Sequence, residues 1–259
     1  MAPNDVLPVD FGRTAGDYAR HRPGFPTVFY EHVRAASIGL PGQRVLDLGT
    51  GTGALACGFA ERGCDAVGLD PSPRMLAEAA NAAQRAGLSV RWIDGRAEAT
   101  GLPDRDFDVV CAGQAWHWFD RKTAAAEAMR VLRPGGRVLL GYFSYLATDP
   151  STVGAATEEI VLRHNPTWPF AGLDGRHPYF ADDLTNAGFR DVSTFDFVIP
   201  VSFTQEGWRG RIRACNGVLT LPPEGITSFD AELARLLEER FPEPIISEHR
   251  IFGILATKP

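Results

Sequence analysis

The sequence predicts an α/β protein: a doubly wound sheet of seven strands, mostly parallel, with a helical lid inserted after the fifth strand. Three observations carry this. Apolar runs of strand length alternate with helix-like segments through the first half, the pattern of a parallel sheet covered on both faces. A glycine-rich turn leads from the first run into the first helical segment. The alternation then breaks after Tyr142 and resumes only with two late apolar runs.

In chain order the strands are expected near Arg44–Leu48, Asp65–Leu69, Ser89–Ile93, Asp108–Ala112 and Gly136–Tyr142. Helices are expected near Gly53–Glu61, Pro73–Ala86 and Arg121–Val131, the last closed by Arg133-Pro134-Gly135-Gly136, which reads as a helix stop followed by a turn. Beyond Tyr142, Asp149–Arg163 and Asp182–Ala187 look helical, and Asn165–Tyr179 reads as a packed loop. Strands at Val192–Val201 and Ser247–Ala256, with helices near Gln205–Cys215 and Phe229–Phe241 between them, suit an antiparallel addition to the sheet edge. The chain accordingly divides into an N-terminal segment (1–40), a core (41–143), lid segments (144–190 and 204–243) and late strands (191–203 and 244–259).

With 259 residues, 44% of them hydrophobic and 22% charged, the chain can bury a large core without cross-links. A net charge of −6 supplies no overall positive field for a phosphate backbone or an anionic membrane, which argues against nucleic acid and membrane partners. Cys57, Cys64, Cys111 and Cys215 lack C-x-x-C spacing, and no histidine pair has the spacing of a helical metal site, so no metal is expected. No stretch has the roughly 18 uncharged residues of a membrane span, and a cytoplasmic location is the expectation.

The chemistry begins at Val45-Leu46-Asp47-Leu48-Gly49-Thr50-Gly51-Thr52-Gly53, where three glycines let the backbone turn tightly and a nucleotide-type ligand approach. Asp70, closing the second strand, sits where an acid would hold a ribose diol. A dinucleotide fits this pattern too. Asp47 discriminates, because a carboxylate beside the loop repels a pyrophosphate and attracts a sulfonium or an α-ammonium.

On these residues the chain resembles the class I S-adenosylmethionine-dependent methyltransferases, whose fold is Rossmann-like with an antiparallel last strand. The resemblance continues at Leu69-Asp70-Pro71-Ser72-x-x-Met75-Leu76, Asp94-Gly95-Arg96-Ala97-Glu98, Phe107-Asp108-Val109-Val110 and Leu132-Arg133-Pro134-Gly135-Gly136. It covers about residues 14–143. It implies that Gly49, Gly51 and Gly53 shape the methionine side, Asp70 binds the ribose hydroxyls, Met75 packs on adenine, and Ala97 and Glu98 belong to the adenine-side loop. The small-molecule branch that includes the trans-aconitate methyltransferase-like (type 11) proteins is the most similar, through Tyr18-Ala19-Arg20-x-Arg22-Pro23-x-Phe25-Pro26 and Gly113-Gln114-Ala115-Trp116-His117-Trp118-Phe119.

By this resemblance the N-terminal segment folds over the cofactor, with Tyr18 and Arg22 meeting its carboxylate, and Gln114 and His117 lie near the transferable methyl. An imidazole among Trp116, Trp118 and Phe119 can serve as a base or orient an acceptor by hydrogen bonding. Trp116, His117, Trp168, Tyr179, Trp208 and Arg213 are the candidates to line the acceptor. An aromatic pocket suits a planar natural product of secondary metabolism, whereas Arg211 and Arg213 suit a carboxylate. The expected activity is methyl transfer from S-adenosyl-L-methionine to a small molecule, leaving S-adenosyl-L-homocysteine. The competing readings are a nicotinamide-dependent oxidoreductase and a non-catalytic S-adenosylmethionine-binding protein.

Overall fold

The computed structural model describes His21 and residues 24–259. The described elements are α1 (Thr27–Ala35), β1 (Arg44–Leu48), α2 (Ala54–Ala60), β2 (Asp65–Asp70), α3 (Pro73–Arg85), β3 (Arg91–Asp94), β4 (Phe107–Gly113), a 3-10 turn (Trp116–Trp118), α4 (Arg121–Val131) and β5 (Leu132–Tyr145). After these come α5 (Val153–His164), α6 (Phe180–Asn186), β6 (Arg190–Phe203), α7 (Gln205–Arg213), α8 (Asn216–Leu219), α9 (Pro223–Arg240) and β7 (Ile245–Thr257).

One sheet holds all seven strands in the order β3-β2-β1-β4-β5-β7-β6. β1 pairs in parallel with β2 (Leu48 opposite Leu69) and with β4 (Asp47 opposite Cys111), so the strand order reverses beside β1. A ligand crevice opens outside the carboxyl ends of the strands at such a reversal. β7 is antiparallel to β5: Gly135 N–H donates to the Lys258 carbonyl, and Lys258 N–H to that of Gly136.

Local rules explain most element ends. Ser72 caps α3 by accepting from Met75 N–H, Pro73 opens the helix, and Met75, Ala79 and Ala83 recur at a spacing of four to form its buried face. Asp120 caps α4 and Thr152 caps α5 in the same way. The Arg133–Gly136 segment departs from the expected turn, because β5 starts at Leu132, directly after α4. Lys258 holds that junction, its ammonium donating to the Met129 and Leu132 carbonyls while its backbone pairs with Gly136. A distant charged residue thus satisfies the helix-end carbonyls and draws the glycines into the ladder.

The chain forms two compact units. Pro23–Tyr142, His177–Asp196 and Phe252–Pro259 make one. Its core joins the inward residues of β1, β4 and β5 to the alanine face of α4 and to Trp116, Phe180 and Phe189. Phe143–Arg176 and Phe197–Ile251 belong to the other, which packs Val153, Ile160, Trp208, Ile212, Phe229, Leu233 and Leu237 into a core of its own. Among the described residues, no helix is long and apolar enough to cross a membrane, and no group of three or more His, Cys, Asp or Glu side chains is arranged to hold a metal ion.

Candidate functional site

The loop after β1 is shaped by three left-handed glycines, with φ of 64° at Gly49, 55° at Gly51 and 80° at Gly53. Side chains would also collide there. A Cβ on Gly49 would lie 2.8 Å from the Ala115 methyl, and one on Gly53 only 2.6 Å from the Trp92 ring. Backbone bonds from Thr50 N–H to the Leu69 carbonyl and from Gly53 N–H to the Thr50 carbonyl close the turn.

Asp47 lies beneath this loop and is 1% exposed. Thr50 Oγ1 donates to Oδ2 at 2.6 Å, the Cys111 thiol to Oδ1 at 3.7 Å, and the Ala56 backbone N–H also donates to the carboxylate. Burial outweighs these bonds and pushes the carboxyl up to about 7. Such a group fixes the loop by hydrogen bonding and carries only part of its charge at neutral pH.

Asp70 ends β2, its Oδ2 accepting Gly51 N–H and its Oδ1 accepting Ser72 N–H, both at 2.9 Å. It therefore clamps the glycine loop to the start of α3. Its oxygens keep further lone pairs, so the carboxylate fits a diol. Burial raises its pKa, and the backbone donors pull it back. The Met75 methyl sits 3.3 Å from where a Cβ on Gly51 would stand, which gives the loop an apolar neighbour suited to adenine. Ala97 is buried, and Glu98 accepts Asp120 N–H at 2.9 Å, tying the segment after β3 to the cap of α4.

Gln114, just past β4, has a φ of 56°, the left-handed region that a non-glycine residue occupies at a cost. Its N–H donates to the Gly141 carbonyl. The 3-10 turn follows. Trp116 is fully buried and donates to Asp183 at 3.0 Å, so it anchors the turn inside the core. His117 is half-buried, with Nδ1 3.5 Å from the Tyr142 hydroxyl. The Tyr142 ring lies 4.2 Å from that of His177, whose Nδ1 is 3.0 Å from the hydroxyl of Tyr179, itself 50% exposed. His117, Tyr142, His177 and Tyr179 thus form one polar aromatic cluster.

The remaining acceptor candidates belong to the other unit, where packing and ion pairing occupy them. Trp208 is fully buried and donates to Thr157 Oγ1 at 3.0 Å. Trp168 donates to Asn216 at 3.0 Å. Arg213 pairs with Asp230 at 2.8 Å and with Glu206 at 2.6 Å. Arg211 is 4% exposed, with its guanidinium over the Tyr145 ring. Tyr18 and Arg22 lie outside the described residues. His177, which borders the aromatic loop, was expected as a candidate to line the acceptor pocket, whereas Trp92, Cys111 and Tyr142 were absent from the expected site. The signal for Tyr142 was its place at the end of the fifth apolar run, whereas Trp92 and Cys111 are recognisable only through partners distant in sequence.

Residues 46–140 match the family model described as "Methyltransferase domain". An uncharacterized methyltransferase of Mycobacterium tuberculosis is 41% identical over 132 residues, which are 51% of this chain and 51% of the relative. The chain spans about half the length of the curated relatives it matches. Among solved structures, the YcgJ protein of Bacillus subtilis aligns with a TM-score of 0.56 at 21% identity, covering 88% of this chain and 97% of that one. A Haemonchus contortus phosphoethanolamine N-methyltransferase, solved with phosphomonomethylethanolamine and S-adenosylhomocysteine, aligns with a TM-score of 0.56 at 19% identity over 98% of this chain and 61% of that one. With its acid-flanked glycine loop at the strand reversal, the chain is similar to methyltransferase domains over residues 46–140, and it has the Rossmann-like fold of the solved structures with which it aligns.

Proposed function

We propose that the protein transfers a methyl group from S-adenosylmethionine to a small-molecule acceptor by direct in-line displacement. The observation that carries this is the loop clamp: three glycines in left-handed conformations, pinned by Asp70 through Gly51 N–H and underpinned by the buried Asp47. Asp70 would hold the ribose hydroxyls, and Met75 and Ala97 would pack against adenine. The glycine backbone would follow the methionine portion, and Tyr18 and Arg22 would meet its carboxylate. The sulfonium supplies an activated methyl, so the chain's own contribution is to align the acceptor and exclude water. Gln114 and His117, beyond β4, are the residues proposed to face the reacting atoms.

An aromatic metabolite and a carboxylate-bearing one are the acceptor classes proposed. The polar aromatic cluster of His117, Tyr142, His177 and Tyr179 supports recognition by ring stacking and hydrogen bonding together. The test is incubation with methyl-labelled S-adenosylmethionine and a fractionated cell extract. Label is expected in a low-mass compound and should be lost with Asp70→Ala. Label only in protein or RNA would overturn the small-molecule reading, and cofactor binding without transfer to any fraction would favour a binding protein.

A further inference from the structure

We propose that Tyr142 is a positioning residue whose hydroxyl holds His117 as the Nε2-protonated tautomer, so that His117 serves the acceptor as a hydrogen-bond donor and not as a base. This deepens the methyltransferase reading and rests on it for the word acceptor. The tautomer itself follows from the hydrogen bonding of one buried phenol.

Tyr142 stands near the end of β5, 2% exposed. Its ring is fixed on several sides, 4.2 Å from His177 and stacked at 5.9 Å and 20° on Phe180. A phenol has one proton to donate and an oxygen that accepts. The oxygen already accepts the backbone N–H of His117. Among the described residues, one acceptor lies within reach of the proton: His117 Nδ1, at 3.5 Å. Burial keeps the phenol protonated, raising its pKa well above the ordinary tyrosine value. A buried hydroxyl with one acceptor in reach donates to it. Nδ1 must then be the unprotonated nitrogen of the neutral ring, and the proton resides on Nε2. The backbone and side chain of His117 are thus read by the same oxygen, which sets both the ring's orientation and its tautomer.

The chemical consequence concerns the acceptor. An Nε2–H cannot take a proton from an attacking atom. It can hold an oxygen or nitrogen lone pair and aim a neighbouring atom at the methyl. The acceptor's attacking atom must therefore arrive already unprotonated, or lose its proton to solvent rather than to His117.

The test reads the tautomer directly. Nitrogen-15 chemical shifts of the histidine side chains are recorded above the titration range of histidine, with His117 assigned by its loss in His117→Gln. The wild type is expected to show a pyridine-like Nδ1 and a pyrrole-like Nε2 at His117, and Tyr142→Phe to move Nδ1 toward the averaged position of a free imidazole. A wild-type His117 protonated on Nδ1 overturns the proposal. This arm needs no substrate and, beyond the assignment, no variant. An unchanged Nδ1 shift in a folded Tyr142→Phe also overturns it.

In the extract assay, His117→Gln offers an amide donor but no base and is expected to retain label transfer within about tenfold of wild type, while His117→Phe falls further. Loss of a general base costs about 10²–10⁴-fold, so equal losses of that size in both variants would overturn the donor role. If S-adenosylhomocysteine fails to bind by calorimetry, the methyltransferase reading falls separately, and the nitrogen-15 shifts still decide the tautomer.

Discussion

Gly53, Gly68 and Gly135 separate two costs that usually come together in a glycine substitution. Gly53 has a φ of 80°, and an added Cβ would lie 2.6 Å from Trp92 Cη2 and 3.0 Å from the Ala79 methyl. Gly68 has no positive φ, yet its Cβ would lie 2.5 Å from Trp92 Cζ3. Gly135 has a φ of 75° and open space around it. Gly135→Ala therefore tests backbone conformation alone, at about 1–2 kcal/mol. Gly68→Ala tests overpacking alone, at about 1–3 kcal/mol. Gly53→Ala bears both and should lose roughly 2–5 kcal/mol.

Thermal unfolding followed by circular dichroism reads the difference. Gly53→Ala is expected to melt roughly 2–12 °C below Gly135→Ala, since 1 kcal/mol corresponds to about 2–4 °C in a chain of this size. Trp92→Leu removes the obstructing ring. In that background most of the overpacking cost of Gly53→Ala should disappear, leaving the contact with Ala79, a coupling of about 1–3 kcal/mol. Equal melting temperatures for Gly53→Ala and Gly135→Ala, or additivity with Trp92→Leu, would refute the view that Trp92 dictates a glycine at position 53.

Two further outcomes follow from buried charge. Asp47 titrates at about 7 in the folded protein against an ordinary 3.8, so the native state holds the extra proton between those values and stability falls as pH rises through that window. At about 1.4 kcal/mol per pH unit the penalty approaches about 4 kcal/mol above pH 7. Asp47→Asn should therefore show a smaller stability loss between pH 5 and about pH 8 in urea titrations, and an unchanged slope would contradict the assignment. In the other unit, Asp230 carries both Arg209 and Arg213, and these guanidinium groups hold its carboxyl below the ordinary range despite burial. Asp230→Asn should cost about 1–3 kcal/mol in urea unfolding while S-adenosylhomocysteine affinity in calorimetry stays within about twofold, because Arg213 acts here as a structural ion-pair partner.

The sequence by itself determined the framework of the cofactor side. Strand and helix periods, the Gly49-x-Gly51-x-Gly53 turn, the Ser72 cap and the acids at the ends of β1 and β2 are local signals. These signals are read from the local pattern, although the glycines are also held by distant partners such as Trp92, Ala115 and Asp70. Element ends were less legible where a distant residue intervenes, as Lys258 does at the junction of α4 and β5. Only the tertiary structure decided that Asp47 is buried, with Cys111 as a partner on a different strand. Long-range pairing likewise committed Trp208 to Thr157 and Arg213 to Asp230, two side chains whose types also suited a pocket. The same holds for His117, whose Nδ1, on the turn after β4, meets Tyr142 on β5. Residue type and spacing specify which groups are available, whereas burial and partners from other strands determine their charge, protonation and exposure, and these depend on the assembled fold.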